Sequence, residues 1–240
     1  MVRPWFSIIV PTTCDLMVIK PPTVLQLERE LFNRLGNEGE LIVVRDLWGN
    51  ANTARNVGIA ASRGIAICVI DDDINLDCER LLEILRVVRD DKNIFFISLD
   101  PHFIIINRDM LLKVGGYDER FKPCMGDDVE LMLRLERMGL KKVFIQRQEL
   151  SIEHLQHPRD RSRRYLLNQK HLTWAYLQHR TYPLWRLVWR KNPLEVARRI
   201  KWVLEWFLYR RYQKRSILST ARADVPSKRT NSFGGPSCKD

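Results

Sequence analysis

Cysteine is scarce and carries no pattern. Cys14, Cys68, Cys78, Cys124 and Cys238 are scattered over 240 residues, odd in number and without a CxxC pair. That spacing excludes a disulfide framework or a thiolate zinc cluster, so the thiols read as reduced ones in a cytosolic protein, two of them in the core. Long apolar runs are also missing. Nothing approaches the ~20 uncharged residues of a bilayer span. The opening MVRPWFSIIVPTT holds an apolar run too short for a signal peptide, and Pro11 interrupts it. There is no internal repeat. What is present is ordinary for a globular protein, 45% apolar and 29% charged, and long enough for one full domain plus an appendage.

Charge is unevenly placed. Residues 1–154 carry 20 Lys/Arg against 24 Asp/Glu, and residues 155–240 carry 20 against 5. The formal net charge of +11 therefore lies wholly in the last third. Such a split predicts acidic chemistry in the first part and an anionic surface as partner of the second.

The pattern of apolar runs predicts alternating strands and helices. WFSIIV (5–10) reads as a buried strand stopped by Pro11, ELIVV (40–44) as a second and IAICVI (65–70) as a third. Between them, TVLQLERELFNRLG (23–36) and NTARNVGIAASRG (52–64) have helical spacing and end on glycine. CERLLEILRVVRD (78–90) is an amphipathic helix with Asp77 as N-cap. NIFFISL (93–99), HFIIIN (102–107) and KKVFI (141–145) read as strands, RDMLLKVGG (108–116) and DDVELMLRLERMGL (127–140) as helices. Alternation of this kind implies an α/β fold with a doubly wound, mostly parallel sheet, whose ligand site lies at the carboxyl ends of the strands. Residues 1–155 form that domain. Residues 156–215 form a basic, aromatic helical extension, and the Ser/Arg/Gly-rich residues 216–240 form a disordered tail.

The run CVIDDDINLD (68–77) places three adjacent carboxylates at one strand end. A solvated turn is the plain explanation. An EF-hand fails, because Leu76 and Leu82 stand where its glycine and glutamate belong. A phosphatase of the haloacid dehalogenase type would use Asp71 and Asp73 as D-x-D, but on its first strand. A nucleotide-sugar site would use the carboxylates to hold Mg²⁺ or Mn²⁺ against a diphosphate.

Six pieces occur in order: SIIVPTT (7–13), ELIVVRD (40–46), ARNVGIAASRG (54–64) with VIDDD (69–73), VGGYDERF (114–121) and GDDVELMLRLERMG (126–139). Together they resemble the family 2 glycosyltransferases of the GT-A fold. The resemblance implies that Pro11, Thr12, Thr13 and Asp46 hold the nucleotide base, Asp46 accepting from a uracil-type N–H. Arg45 stands in place of the family's usual first acid there, and the loop beyond is shortened to LWGN. Arg55 and Asn56 match the run that faces the nucleotide, where Arg55 either neutralises phosphate or pairs with an acid of the triplet. Asp71 matches the ribose-side acid and a metal ligand, Asp73 the principal metal ligand, and Asp72 the less constrained middle position. Asp128 matches the catalytic base and Asp127 its neighbour, while His154 matches a histidine near the metal, with His157 as competitor. Gly115, Gly116 and Tyr117 either line the sugar pocket or form a turn.

The implied partners are a nucleoside-diphosphate sugar, a UDP-sugar in the first place, and a hydroxyl acceptor that is a glycan or lipid-linked. In residues 182–215, Val196, Ile200, Val203 and Phe207 share a helical face among Arg and Lys. That face suits either an anionic membrane surface, at the cytoplasmic side, or packing on the domain. No nucleic-acid module is recognisable, which weighs against nucleic acid. A GT-A-like module that binds without turnover is the non-enzymatic alternative.

Overall fold

The computed structural model describes residues 3–99, 102–121 and 127–155, together with Pro193, Val196, Ala197 and residues 200–204. Its chain order is β1 (Phe6–Thr12), α1 (Pro22–Leu27), a π turn (Glu28–Phe32), α2 (Asn33–Leu35), β2 (Gly39–Arg45), α3 (Ala51–Ala61), β3 (Ala66–Ile70), β4 (Ile74–Asn75), α4 (Cys78–Asp90), β5 (Ile94–Leu99), β6 (His102–Asn107), α5 (Arg108–Val114), α6 (Asp127–Arg137), β7 (Lys141–Phe144) and β8 (Glu153–His154).

Six strands form one sheet in the order β2-β1-β3-β6-β5-β7. The pairings β1–β2, β1–β3 and β5–β7 are parallel, and β6 runs antiparallel to both β3 and β5. The sheet is thus mixed, and mostly parallel as expected. Apolar residues alternate across it because successive strand side chains point to opposite faces. Phe6, Ile8 and Val10 of β1, with Ala66, Cys68 and Ile70 of β3, pack under α1 and α4. Ile9, Ile67 and Val69 pack on the other face with Ile59 of α3, Leu111 of α5 and Leu131 and Leu135 of α6. Strands with both faces covered read as continuous apolar runs, which is why these were legible.

α4 begins where expected: Asp77 accepts hydrogen bonds from the N–H groups of Glu79 and Arg80. The end of the first strand differs. Pro11 does not stop β1, which continues to Thr12 in register with Arg45. The Thr12 carbonyl accepts from Asp46 N–H at 2.7 Å on the β2 side. Neighbouring residues alternate, so the Pro11 nitrogen faces β3, where pairing with β1 has ended at Ile9 opposite Val69. A residue lacking N–H loses nothing there.

The sequence pattern also missed a short second sheet. β4 pairs antiparallel with β8, Ile74 opposite His154 and Asn75 opposite Glu153. Leu155 N–H donates to the Asp73 carbonyl at 2.8 Å. Strands this short give no period to read.

Most of the expected extension 156–215, and all of the tail 216–240, lie outside the described residues, as do His157 and Phe207. Pro193, Val196, Ala197 and residues 200–204 are helical. The expected apolar face is not uniformly covered: Val196 and Val203 are half-buried and Ile200 is 50% exposed, whereas Trp202, off that face, is buried. Among the described residues no helix is long and apolar enough to cross a membrane.

Candidate active site

β1, β2 and β3 all end at one edge of the sheet, and the acid triplet follows β3 directly. The three aspartates are treated differently by their surroundings. Asp71 is held by Arg55, whose Nη2 donates to Oδ1 at 2.9 Å. Asp72 accepts from Thr12 Oγ1 at 2.5 Å. This corrects its reading as the less constrained position: the end of β1 fixes it. Asp73 is 4% exposed, and its backbone is tied to Leu155, just past β8.

Arg55 is the centre of the site. α3 starts at the N-cap Asn50 and buries Arg55 at 5% exposure. Nη1 donates to Asp127 Oδ2 at 2.7 Å and to Asn52 Oδ1 at 2.8 Å, and the guanidinium lies 5.1 Å from the centre of the Tyr117 ring. Burial alone would favour the neutral form, but Asp71 and Asp127 outweigh it and hold the group charged well above its ordinary range. Of the two readings from sequence, pairing with an acid of the triplet is the arrangement present. It also reaches the first residue of α6, a contact the sequence pattern did not suggest.

Asn56 is corrected. It is fully buried, its amide nitrogen donating to Tyr117 O at 2.9 Å and Glu119 Oε1 at 2.8 Å, and its oxygen accepting from Tyr117 N–H at 2.8 Å. With donors and acceptor committed inward, it braces the 117–119 segment and does not face a nucleotide. Asn50, Asn52 and Thr53 do the same, donating to Glu119 O, Asp118 O and Glu119 Oε2. From the other side Arg134 of α6 pairs with Glu130 and donates to the carbonyls of Val114 and Gly116. The turn between these clasps uses Gly115 at φ 92° and Gly116 at φ 70°, a left-handed pair that side chains resist. Gly115 and Gly116 therefore serve the turn, and Tyr117 is buried beneath Arg55 rather than open to a sugar. The signal for this clasp was legible in principle: Asn52 and Asn56 sit four residues apart on one helix face beside Arg55.

At the base-binding edge, Pro11 and Thr12 are buried and Thr13 is exposed. Asp46 is half-buried, and its Oδ1 accepts from Trp48 N–H at 2.9 Å, so it shapes the shortened loop as well. Arg45 pairs with Asp15 at 3.4 Å, joining the end of β2 to the loop after β1. Asp127 is buried in α6's first turn, while Asp128 is half-buried. Asp127, Asp128 and Glu130 at the start of α6, with Arg134 and Arg137 at its end, complement the helix dipole. His154 lies across the β4–β8 ladder from Ile74, so its backbone is beside the triplet.

Among the described residues no three His, Cys, Asp or Glu side chains converge as a preformed metal cage. Mg²⁺ and similar hard cations are commonly held by one or two carboxylates plus substrate phosphates. The half-exposed Asp71 and Asp72 beside Asp73 fit that mode, with oxygen donors of the right chemistry at a strand end.

Known proteins share the fold that carries this site. Among solved structures, the catalytic domain of Drosophila β1,4-galactosyltransferase 7 with xylobiose superposes at a TM-score of 0.52. Identity is 13%, over 68% of this chain and 79% of that one. A point mutant of that enzyme, in complex with manganese, UDP-Gal and xylobiose, gives 0.50 at 12% identity over the same shares. GalNAc-T7 with UDP, GalNAc and Mn²⁺ gives 0.52 at 10% identity, over 93% of this chain and 58% of that one. The architecture is therefore that of the GT-A glycosyltransferases. Residues 69–166 match the model described as glycosyltransferase like family 2. A 48-residue stretch is 44% identical to the O-antigen biosynthesis protein RfbC of Myxococcus xanthus, covering 20% of this chain and 4% of that protein. The family match thus spans the acid triplet and the start of α6, and the solved structures share the fold.

Proposed function

We propose that this chain transfers a sugar from a nucleoside-diphosphate donor, a UDP-sugar in the first place, to a hydroxyl acceptor by a single inverting displacement. The observation that carries the reading is the junction at Arg55, where the strand-end acid Asp71 and the helix-start acid Asp127 meet through one buried guanidinium. Two acidic motifs remote in sequence thereby share one site, as a transfer between two substrates requires.

Asp128 has the role of base. An acceptor hydroxyl is far too weak an acid to ionise at neutral pH, so a carboxylate positioned beside it takes the proton while the oxygen attacks the anomeric carbon. The bond from that carbon to the diphosphate oxygen breaks, and its electron pair leaves with the diphosphate. A divalent cation, Mg²⁺ or Mn²⁺, held by Asp73 and Asp71 with His154 beside them in the fold, would supply stabilisation of the charge on the departing diphosphate. Thr12 fixes Asp72 at the donor edge, and Asp46 with the ends of β1 and β2 would receive the base. UDP, manganese and xylobiose, the ligands of the structural neighbours, support a nucleotide-sugar donor and a glycan acceptor here. Commitment of Asp71 to Arg55 speaks against its acting as a phosphatase nucleophile.

The experiment is a thermal-shift titration with UDP, with and without Mn²⁺, followed by UDP release from a panel of UDP-sugars. A ligand selective for the folded state raises the melting temperature by mass action. No shift with UDP and no UDP release would remove the reading. The excess of 20 Lys/Arg over 5 Asp/Glu in residues 155–240 supports docking at an anionic, cytoplasmic membrane face and a lipid-linked acceptor. Truncation after about residue 180 should release the protein from phosphatidylserine vesicles while the melting curve is retained. Loss of stability instead would make this end part of the domain's packing.

A further inference from the structure

We infer that Arg55 is a positioning residue: it sets the spacing between the donor-side acid Asp71 and the start of α6, and through Asp127 the place of the proposed base Asp128. The inference rests on the glycosyltransferase reading above and concerns how the two halves of that site are held together. Arg55 divides its fork, Nη1 to Asp127 and Nη2 to Asp71, so the separation of the two carboxylates is set by the width of one rigid guanidinium. Asn52 Oδ1 takes a further Nη1 hydrogen and the Tyr117 ring lies over the carbon, which leaves the head group little freedom.

Its own helix is immobilised as well. Gly58 lets α3 lie directly on β1; a Cβ there would sit 2.3 Å from Ile9 Cγ2. Asn50, Asn52 and Asn56 then tie α3 to the 117–119 segment. The position of Asp127 is thus referred to the sheet through α3, and Asp128 is the next residue of the same helical turn. Asp127, 7% exposed and paired with that guanidinium, anchors the helical turn that carries Asp128. Lysine in place of Arg55 would keep the charge but reach only one of the two acids at bonding distance.

The test compares Arg55→Lys, Asp127→Asn and their combination with wild type, since Arg55→Ala strands two carboxylates and could fail to fold. Three quantities are read: melting temperature, UDP affinity in the presence of Mn²⁺ by calorimetry, and the rate of UDP release from UDP-sugars. Both single variants should remain folded at the assay temperature and release UDP about 10²-fold more slowly, the scale of a displacement near 1 Å at a reacting group. Asp127→Asn should leave UDP affinity within about threefold, because the interaction it removes acts on turnover and not on donor binding. The double variant should be no slower than Arg55→Lys, as expected for residues acting through one contact. A lower melting temperature with unchanged turnover would reduce Arg55 to a structural tie and overturn the inference. So would a parallel loss of UDP affinity and turnover in Arg55→Lys with Asp127→Asn unaffected, which would make Arg55 a phosphate ligand. A wild-type protein that binds no UDP with Mn²⁺ overturns the glycosyltransferase reading itself, a distinct result.

Discussion

The acid triplet after β3 and the acid pair opening α6 look alike in sequence, each a run of identical carboxylates at the end of a secondary-structure element. They differ in how they are held. In the triplet each residue has a separate tether: Arg55 for Asp71, Thr12 for Asp72, and the backbone of Leu155 for Asp73. In the pair one member, Asp127, is buried against Arg55, and the other stays half-buried. Like charges side by side are tolerable only when something separates their environments. Here the separation comes from α3, β1 and β8, none of which adjoins the acids in sequence. Roles within a run of aspartates are therefore assigned by remote partners.

The two acid runs should differ most at Asp128. Asp128→Asn keeps the size and removes the basicity, so turnover should fall about 10²-fold or more while UDP affinity is kept. Single-turnover UDP release against calorimetric binding separates the two quantities. An unchanged rate would move the base to another group and erase the distinction between Asp127 and Asp128. Asp73→Ala probes the triplet in the opposite sense. It should abolish the dependence of UDP affinity on Mn²⁺, because the carboxylate most enclosed at the strand end is gone. Binding that still responds to Mn²⁺ as in wild type would transfer the ligand role to Asp71 or Asp72.

A smaller effect should follow from Thr12→Val, which is nearly isosteric and deletes both the bond to Asp72 and the one Thr12 Oγ1 accepts from Cys14 N–H. Thr12 is 3% exposed, so the methyl group meets no solvent. Loss of one hydrogen bond to a carboxylate, offset by water reaching Asp72, should weaken UDP binding about fivefold, ~1 kcal/mol. Titrating UDP into both proteins measures it. Equal affinities would return Asp72 to the unconstrained status its sequence position suggested.

How far the sequence could be read depended on the range of the determining contacts. The strands under both helical layers were plain, because continuous apolar runs such as Ile65 to Ile70 have no other stable place than a covered sheet. Asp77 as the N-cap of α4 was plain for the same local reason. The ends of elements were less so: Pro11 forbids a donor, but whether a donor is needed depends on where β3 stops pairing. Asn56 was misassigned because an asparagine beside an arginine at a ligand edge has the same letters whether it faces a nucleotide or, as here, the Tyr117 backbone. The pairing of Arg55 with an acid of the triplet, here Asp71, was among the open alternatives. Asp127 as the second partner was not, since nothing local links positions 55 and 127.

Asp118 offers a control for both acidic runs, because it lies between them and its carboxylate has a structural partner. Its side chain is 2% exposed and accepts from Arg120 Nε at 2.8 Å and 2.9 Å. Burial favours its neutral form, but the hydrogen bonds and charge of Arg120 outweigh it and hold the carboxyl below its ordinary value of 3.8. A carboxyl with a lowered folded-state pKa binds protons less readily than it does in the unfolded chain. Its stabilisation is therefore complete above the ordinary carboxylate range and is lost as pH falls through the depressed value. Arg120→Gln should melt about 2–4 °C below wild type at neutral pH, ~1 kcal/mol for a pair half open to solvent on the arginine side. The gap should close as the buffer is taken below pH 3.8, once Asp118 is protonated in both proteins. UDP release measured near neutrality should be unchanged. A loss of turnover equal to that of Asp127→Asn would show that the 117–121 segment belongs to the same mechanical unit as Arg55, and the contrast between working and supporting acids would have to be redrawn.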